Sequence, residues 1–323
     1  MKWMKNPRTL CIGRFVIDIP TEMQLKTDEY HYAGHELRST PSVMRYSFDH
    51  IVNERVAVLL SKKRKDYSGK TVLLTDIPWL ETNMAIESNS RLLVYNETSR
   101  DRLRLSYMSE GYVWSNDTLL FATPLTSFEM IEDAIDVAKD VLPRVSGRLN
   151  TEISTKPGFC FDGGLVKGLQ KYNESVTAYF ERPSTLGGMI FGIETRPTVK
   201  VDDKLLDRKS FFVQALGKLI GHTSTIRDGE RTVAGMDGQE WLLKVTAGAI
   251  TAYNFVWEFK GQIANDGEPM HVTQPHAYLQ LRVGGETRDA KTNARQTSAL
   301  TEQEALDLWE ALLQGTRLRP NAA

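Results

Sequence analysis

The sequence predicts an α+β fold of two similar mixed α/β-sheet domains, an internal duplication in which each domain ends in a helix. Three observations lead there. The chain has 323 residues, more than one hydrophobic core usually serves. Within each half, apolar spacing switches between the alternation of strands and the longer period of helices. The halves also rhyme. Their opening strands each carry one cysteine, in LCIGRF and GFCFDGG, and their closing helices both begin L-T-x-x-E.

Residues 9–19 alternate Cys11, Gly13, Phe15 and Ile17 against Ile12, Arg14, Val16 and Asp18, and Pro20 stops them, so one strand is expected. A second is expected across 24–38. Phe48, Ile51, Val52, Arg55, Val56, Leu59 and Leu60 recur at helical spacing within 44–65. Lys62-Lys63-Arg64-Lys65 then reads as a solvated helix end against the negative pole of the helix dipole. Strands follow at 71–77, 83–88, 91–97, 102–109 and 112–122, with a turn at Ser109-Glu110-Gly111. A helix starts at Thr126 and stops at Pro143. The polar stretch 144–157 makes a linker, which places the domains at 1–150 and 151–323.

The second half repeats the order. Strands are expected near 158–163, 174–182 and 188–195, a helix at 202–220 stopped by Gly221, strands at 222–228, 240–246, 249–260 and 276–284, and a helix from Thr301 to Gln314. In both closing helices the Thr hydroxyl can accept from the amide three residues on while Glu129 or Glu304 reaches back. Leu125 with Met130, and Leu300 with Ala305, can add hydrophobic staples.

The composition excludes several classes. Hydrophobic residues make up 41% and charged residues 25%, the globular average rather than that of a disordered chain. Forty basic and forty-one acidic residues leave a net charge of −1, with no electrostatic footprint for nucleic acid or an anionic membrane. No apolar run reaches the roughly 18 residues of a spanning helix. The opening MKWMKNPRTLCIG lacks the apolar stretch of a secretory signal. Cys11 and Cys160 are the only cysteines. They read as buried thiols in a reducing compartment, or as one bridge in an oxidising one.

No catalytic machinery emerges. There is no G-x-S-x-G elbow, P-loop, H-E-x-x-H or paired C-x-x-C. Gly163-Gly164 reads as a turn after a strand. His31 and His35 could share zinc only on a helix; on one extended segment they lie about 13 Å apart. His271 and His276 flank Pro275 beside Asp266 and Glu268, a conceivable acid–base pair that reads better as ordinary polar residues. No catalytic residue, metal or cofactor is therefore expected. Loops at 261–275 and 285–299 are long enough to carry function. Candidate partner contacts are Asn265, Asp266, Glu268, Arg288 and Asp289 on those loops. Tyr112 and Trp114, on one strand face beside the expected turn, join them as aromatic anchors, although core packing is the commoner role for such residues.

Specific segments carry a family resemblance. Cys11-Ile12-Gly13-Arg14-Phe15-Val16-Ile17-Asp18-Ile19-Pro20, the Gly158-Phe159-Cys160-Phe161-Asp162-Gly163-Gly164 stretch, HAYLQLRVGG at 276–285 and Trp309…Arg317-Leu318-Arg319-Pro320 resemble the immunity proteins paired with type VI secretion lipase effectors of the fourth class. The resemblance runs from residue 9 to 320. It implies a periplasmic, non-enzymatic protein that binds and inhibits a cognate phospholipase effector, its two domains gripping the lid and active-site region. In that compartment a Cys11–Cys160 bridge is implied as well. The alternative is an envelope carrier of a small apolar ligand.

Overall fold

The computed structural model describes residues 4–68, 71–96, 106–182, 189–197, 203–209, 222–262, 273–288 and 295–322, with backbone alone at 65–68, 71–75, 286–288 and 295. The first half contains strands β1 (Arg8–Ile12), β2 (Phe15–Ile19), β3 (Gln24–Tyr32) and β4 (His35–Pro41), helix α1 (Arg45–Ser61), strands β5 (Lys63–Ser68), β6 (Thr71–Pro78), β7 (Leu80–Ala85), β8 (Ser90–Tyr95), β9 (Met108–Ser115) and β10 (Thr118–Pro124), helix α2 (Ile131–Val141) and strand β11 (Val145–Gly147). The second half contains β12 (Gly158–Phe161), β13 (Gly164–Lys167), β14 (Glu174–Arg182), β15 (Met189–Arg196), a 3-10 turn (Leu205–Arg208), β16 (His222–Val233), β17 (Met236–Ala247), β18 (Ile250–Phe259), β19 (His276–Val283), β20 (Gly285–Arg288), β21 (Arg295–Gln296), helix α3 (Glu302–Gly315) and β22 (Arg317–Leu318). Sheet dominates, with three α-helices among the described residues.

The two halves share one topology. Strand order is β3-β4-β10-β9-β8-β7 in the first and β14-β15-β19-β18-β17-β16 in the second, antiparallel throughout. Each half opens with a hairpin whose cysteine stands two residues before the turn: Cys11 before Gly13-Arg14, and Cys160 before Asp162-Gly163. After each closing helix, a short strand adds to the second strand of a hairpin.

The hairpins are exchanged. β22, which follows α3, pairs with β2 of the opening hairpin through Phe15↔Leu318 and Val16↔Arg317. β11, which follows α2, pairs with β13 of the later hairpin through Val145↔Val166. The chain accordingly divides into two compact units, each drawing on both halves. The C-terminal unit holds 1–29, 153–155 and 174–323; the N-terminal unit holds 30–152 and 156–173.

Several expected elements change once pairing is seen. Residues 9–19 are a hairpin rather than one strand, because Gly13 (φ 56°) with Arg14 makes a two-residue turn between Ile12 and Phe15. Residues 24–38 likewise fold back at Ala33-Gly34, so His31 faces Glu36 and Tyr32 faces His35. Ser109-Glu110-Gly111 is mid-strand. Gly111 serves a close approach, since a Cβ there would stand 2.6 Å from Leu142 Cδ2. The turn lies instead at Asn116-Asp117, both at φ 52°, whose paired left-handed residues suit a tight hairpin.

α1 ends at Ser61, and the basic run begins β5. Arg64 is buried there, bonded to the Pro78 carbonyl (3.0 Å) and paired with Glu81. α2 starts at Ile131 without a side-chain cap, five residues after Thr126. Residues 125–128 instead form a bend followed by an isolated bridge. The Leu125 and Thr126 amides donate to the Gly34 carbonyl, and Phe128 bridges to Tyr107. Leu125 and Met130 stay exposed, so no staple forms. At α3 the capping box is complete, with the Glu304 amide donating to Thr301 Oγ1 (3.2 Å) and the Thr301 amide to Glu304 Oε2 (3.0 Å). The supposed linker contains β11. Gly163, at φ 68°, does make the turn between β12 and β13. Of the expected helix at 202–220, residues 203–209 are described, and Leu205–Arg208 form the 3-10 turn.

In the N-terminal unit, α1 buries Phe48 and Val52 with Val43 and Leu119, and Leu59 with Leu93 and Tyr95. Each fully buried side chain of this size is worth about 1.5–3 kcal/mol. A buried charge fixes the helix above its sheet: Arg55 donates twice to Glu110 (2.9 and 2.5 Å), which also accepts from the Tyr112 hydroxyl (2.7 Å). Burial alone would raise the Glu110 carboxyl. The bonds from Arg55 and Tyr112 outweigh it and hold the group below its ordinary range.

Exchange makes the halves interdependent. Residues 1–150 and 151–323 expressed separately are each expected to lack a cooperative thermal transition, and to regain one on mixing. Near-ultraviolet circular dichroism and melting curves read this out. A half that melts alone as sharply as the whole chain would contradict it.

Candidate interaction face

β19 places the most informative side chains. Its alternation sends Ala277, Leu279, Leu281 and Val283 into the core, all at or below 3% exposure. There they join Phe255 of β18, whose ring meets Trp309 of α3 at 6.2 Å. His276, Tyr278, Gln280 and Arg282 are left on the opposite face. Register brings Glu258 and Asn254 of β18 and Arg196, Glu194 and Gly192 of β15 beside them, with Tyr179 of β14 opposite Gly192.

Close fitting pins this face. The Tyr179 ring lies over Gly192, where a Cβ would stand 2.4 Å from Cε1. Its hydroxyl donates to Glu194. Burial first, then the Glu194 bond and charge, push the phenol up to about 12. Gln280 Nε2 donates to Asn254 Oδ1 (2.9 Å). Leu205 and Leu206 of the 3-10 turn pack with Trp241, Leu243, Val256 and Tyr278 on one flank.

At the end of the face, Glu258 is buried beneath basic groups. Its carboxylate accepts from Arg208, from Lys260 Nζ (3.0 Å) and from His276 Nε2 (2.8 Å). Arg196 Nε donates to His276 Nδ1 (3.3 Å). Burial would raise the Glu258 carboxyl, but the bonds from His276 and Lys260 and the neighbouring charges bring it down to about 2. The result is a rigid, hydrogen-bonded surface of Tyr, Arg and amide groups, suited to recognition by fixed donors and acceptors.

The nearest thing to catalytic geometry is elsewhere. His35 Nε2 lies 2.7 Å from Ser109 Oγ and its Nδ1 lies 2.9 Å from the Ala33 carbonyl. Burial lowers the His35 pKa against the pull of the Ala33 and Ser109 backbone. Ser109 is 1% exposed, so this pair is closed to substrate as it stands and reads as a satisfied core histidine.

The residues expected from sequence are scattered. Tyr112 and Trp114 share a face of β9 but are half-buried against the α1 core, Trp114 Nε1 donating to the Val43 carbonyl (2.7 Å). Asn265, Asp266, Glu268, His271 and Asp289 lie outside the described residues. Arg288 is placed by its backbone alone, opposite Arg295. Cys11 and Cys160 are buried and neither is a free thiol. His276 is the first residue of β19 rather than a loop residue. Among the described residues no His, Cys, Asp and Glu group is arranged for a metal. Sequence reasoning passed over Tyr179, Glu194, Arg196 and Glu258. The polar half of HAYLQLR was the signal that could have pointed to them.

Each half supplies a sheet of the same strand order and a hairpin that the last strand of the other half completes. Residues 8–148 match the family model of the Tle cognate immunity protein 4 N-terminal domain, and residues 152–321 that of its C-terminal domain. The chain belongs to the Tle cognate immunity protein 4 family. Among solved structures it is similar to the apo immunity protein TplEi of the type VI secretion system from Pseudomonas aeruginosa (20% identity, 98% of each chain, TM-score 0.78). It is also similar to a chain of the Tle4–Tli4 complex (19%, 98% of this chain and 99% of that one, 0.79). TplEi complexed with "L" peptide matches as well (20%, 98% and 99%, 0.76). No curated protein matches the sequence.

Glu258 gives a stability test. Its folded value lies below its ordinary 4.5, so its contribution is present above that value and is lost as pH falls toward 2. Glu258→Gln is expected to cost about 2–3 kcal/mol at neutral pH and to flatten the acid limb of the stability curve. Denaturant melts from pH 2 to 7 show this; an unchanged acid limb would refute the ionised assignment.

Proposed function

We propose that the chain is an immunity protein that binds a cognate type VI secreted phospholipase effector in the periplasm and inhibits it, acting by binding rather than catalysis. The carrying observation is that both family models match, over 8–148 and 152–321. The fold likeness to a chain of the Tle4–Tli4 complex supports a protein partner. In the proposed mechanism the two domains grip the lid and active-site region. Binding the closed lipase more tightly than its membrane-engaged form shifts the population toward the closed form. Tyr112, Trp114 and the loops carrying Asn265, Asp266, Glu268, Arg288 and Asp289 remain the proposed contacts.

Two structural proposals belong with this reading. Internal duplication is supported by the shared strand order and the matched cysteine hairpins, although only the Thr301 capping box forms. Pairing of Cys11 with Cys160 is supported by their being the only cysteines and neither being free.

Mixing the chain with its cognate lipase effector is expected to give a stable complex on size exclusion and to abolish phospholipid hydrolysis. Separate elution with full lipase activity would overturn the proposal. Thiol titration in denaturant is expected to find no free thiol before reduction and two after it; two before reduction would exclude the bridge.

A further inference from the structure

The two cysteines occupy matching places in the two exchanged hairpins, each two residues before the turn. Both are buried, Cys11 at 3% exposure and Cys160 at 0%, and neither is a free thiol. Cys11 lies opposite Val16 and Cys160 opposite Leu165, and a third strand closes each hairpin, β22 on β2 and β11 on β13. Ile12, Phe15 and Ile17 around the first cysteine are as buried as it is. Beside the second, the Phe159 ring meets Tyr32 at 5.7 Å and Tyr30 at 6.5 Å, and the Phe161 ring meets Tyr30 at 6.4 Å. A bridge between the cysteines closes a loop that contains every element from β2 to β11. Closing so long a loop removes much chain entropy, so the bridge restrains the unfolded chain more than the folded one.

We propose that this bridge is a one-way redox latch, set while the hairpins are open, sealed when they close, and decisive for how much of the chain is competent to inhibit. The inference rests on the Cys11–Cys160 pairing and on the immunity reading, and adds to them an order of events and a condition for activity. Thiol–disulfide exchange needs a thiolate to reach a sulfur, and neither cysteine of the folded chain offers that approach. Oxidation therefore comes before the hairpins are buried. A disulfide of the oxidising compartment is the oxidant. One cysteine thiolate attacks it to form a mixed disulfide, and the second thiolate then displaces it. Two thiols thereby lose two protons and two electrons, and the oxidant leaves as its reduced thiols. The burial that orders these steps also shields the finished bridge from reductants. In a reducing compartment the chain keeps both thiols, its unfolded state is unrestrained, and a smaller fraction is folded for binding.

The test compares two histories in one reducing buffer. Wild-type chain folded under oxidising conditions is moved into dithiothreitol without denaturant, and a second sample is unfolded, reduced and refolded in the same buffer. Thiol alkylation read by mass, melting curves and inhibition of the cognate lipase are followed for both. The first sample is expected to keep its bridge, its melting point and its inhibition. The second is expected to hold two free thiols, to melt lower by about 10 °C, and to lose inhibition at temperatures between the two melting points. Cys11→Ala/Cys160→Ala should give the same melting point and inhibition by either history. A difference between histories in that variant would trace the effect away from the bridge and overturn the inference. Rapid reduction of the folded wild-type chain would do so too, as would equal melting and inhibition for its two samples, and both results leave the pairing in place. Free thiols in the untreated chain on denaturation would remove the pairing itself. An oxidised chain that never inhibits the lipase would remove the immunity reading, and either outcome takes this inference with it.

Discussion

Arg14 is a charge with almost no access to water, 2% exposed at the turn of the first hairpin. A guanidinium in that position must be met by fixed acceptors, because an unpaired buried charge costs several kcal/mol. It donates twice to Glu174 at 2.9 Å and once to the Ala322 carbonyl at 2.5 Å. Its own carbonyl accepts from the Arg319 amide, and Arg319 in turn donates to the Ser154 carbonyl. Burial pushes the Glu174 carboxyl upward, against the pull of Arg14 and Arg319. One buried cation thus brings together the first hairpin, the start of β14 and the end of the chain. Once it is satisfied, the opening hairpin belongs with the C-terminal strands, and the compact units cease to be contiguous in sequence.

Hairpin exchange gives the duplication reading its physical sense. Each half supplies a six-strand sheet in the same order and a cysteine hairpin, but completes that hairpin with the strand after the other half's closing helix. A fold built this way resists partial opening, because no half can leave without exposing an unpaired strand edge. The polar face of the C-terminal unit inherits that rigidity. Tyr179 lies over Gly192 and Glu258 is held from several sides, so the polar groups of this face are already in place and little ordering entropy is left for them to lose.

Much of the chain was legible in order, and less of it in pairing. The 174–182, 188–195 and 276–284 strands and the Thr301 helix follow from strict alternation or a capping box, both short-range signals. Gly13-Arg14 and Ala33-Gly34 lack the Asn-Gly or Asp-Gly signature, so two hairpins read as two long strands. The capping pattern at Thr126 was overridden because its amide and its hydroxyl both donate to the Gly34 carbonyl, 92 residues away in sequence. Arg64 shows the same limit, since a basic run reads as solvated until a carbonyl and a carboxylate are folded around it. The interaction face was half-visible, as the polar side of HAYLQLR, because its other members come from strands far along the chain.

By itself the sequence determined the local chemistry: alternating strands, the Thr301 cap, the balanced charge, and the absence of recognised catalytic motifs. Periodicity and capping are set by residues a few positions apart, so they survive without knowledge of the fold. Only tertiary structure decided which hairpin completes which sheet, and which cations gather on Glu258. Those outcomes depend on burying charges and strand edges together, over separations of up to 308 residues between Arg14 and Ala322, and no local pattern encodes where a buried charge will find its partner.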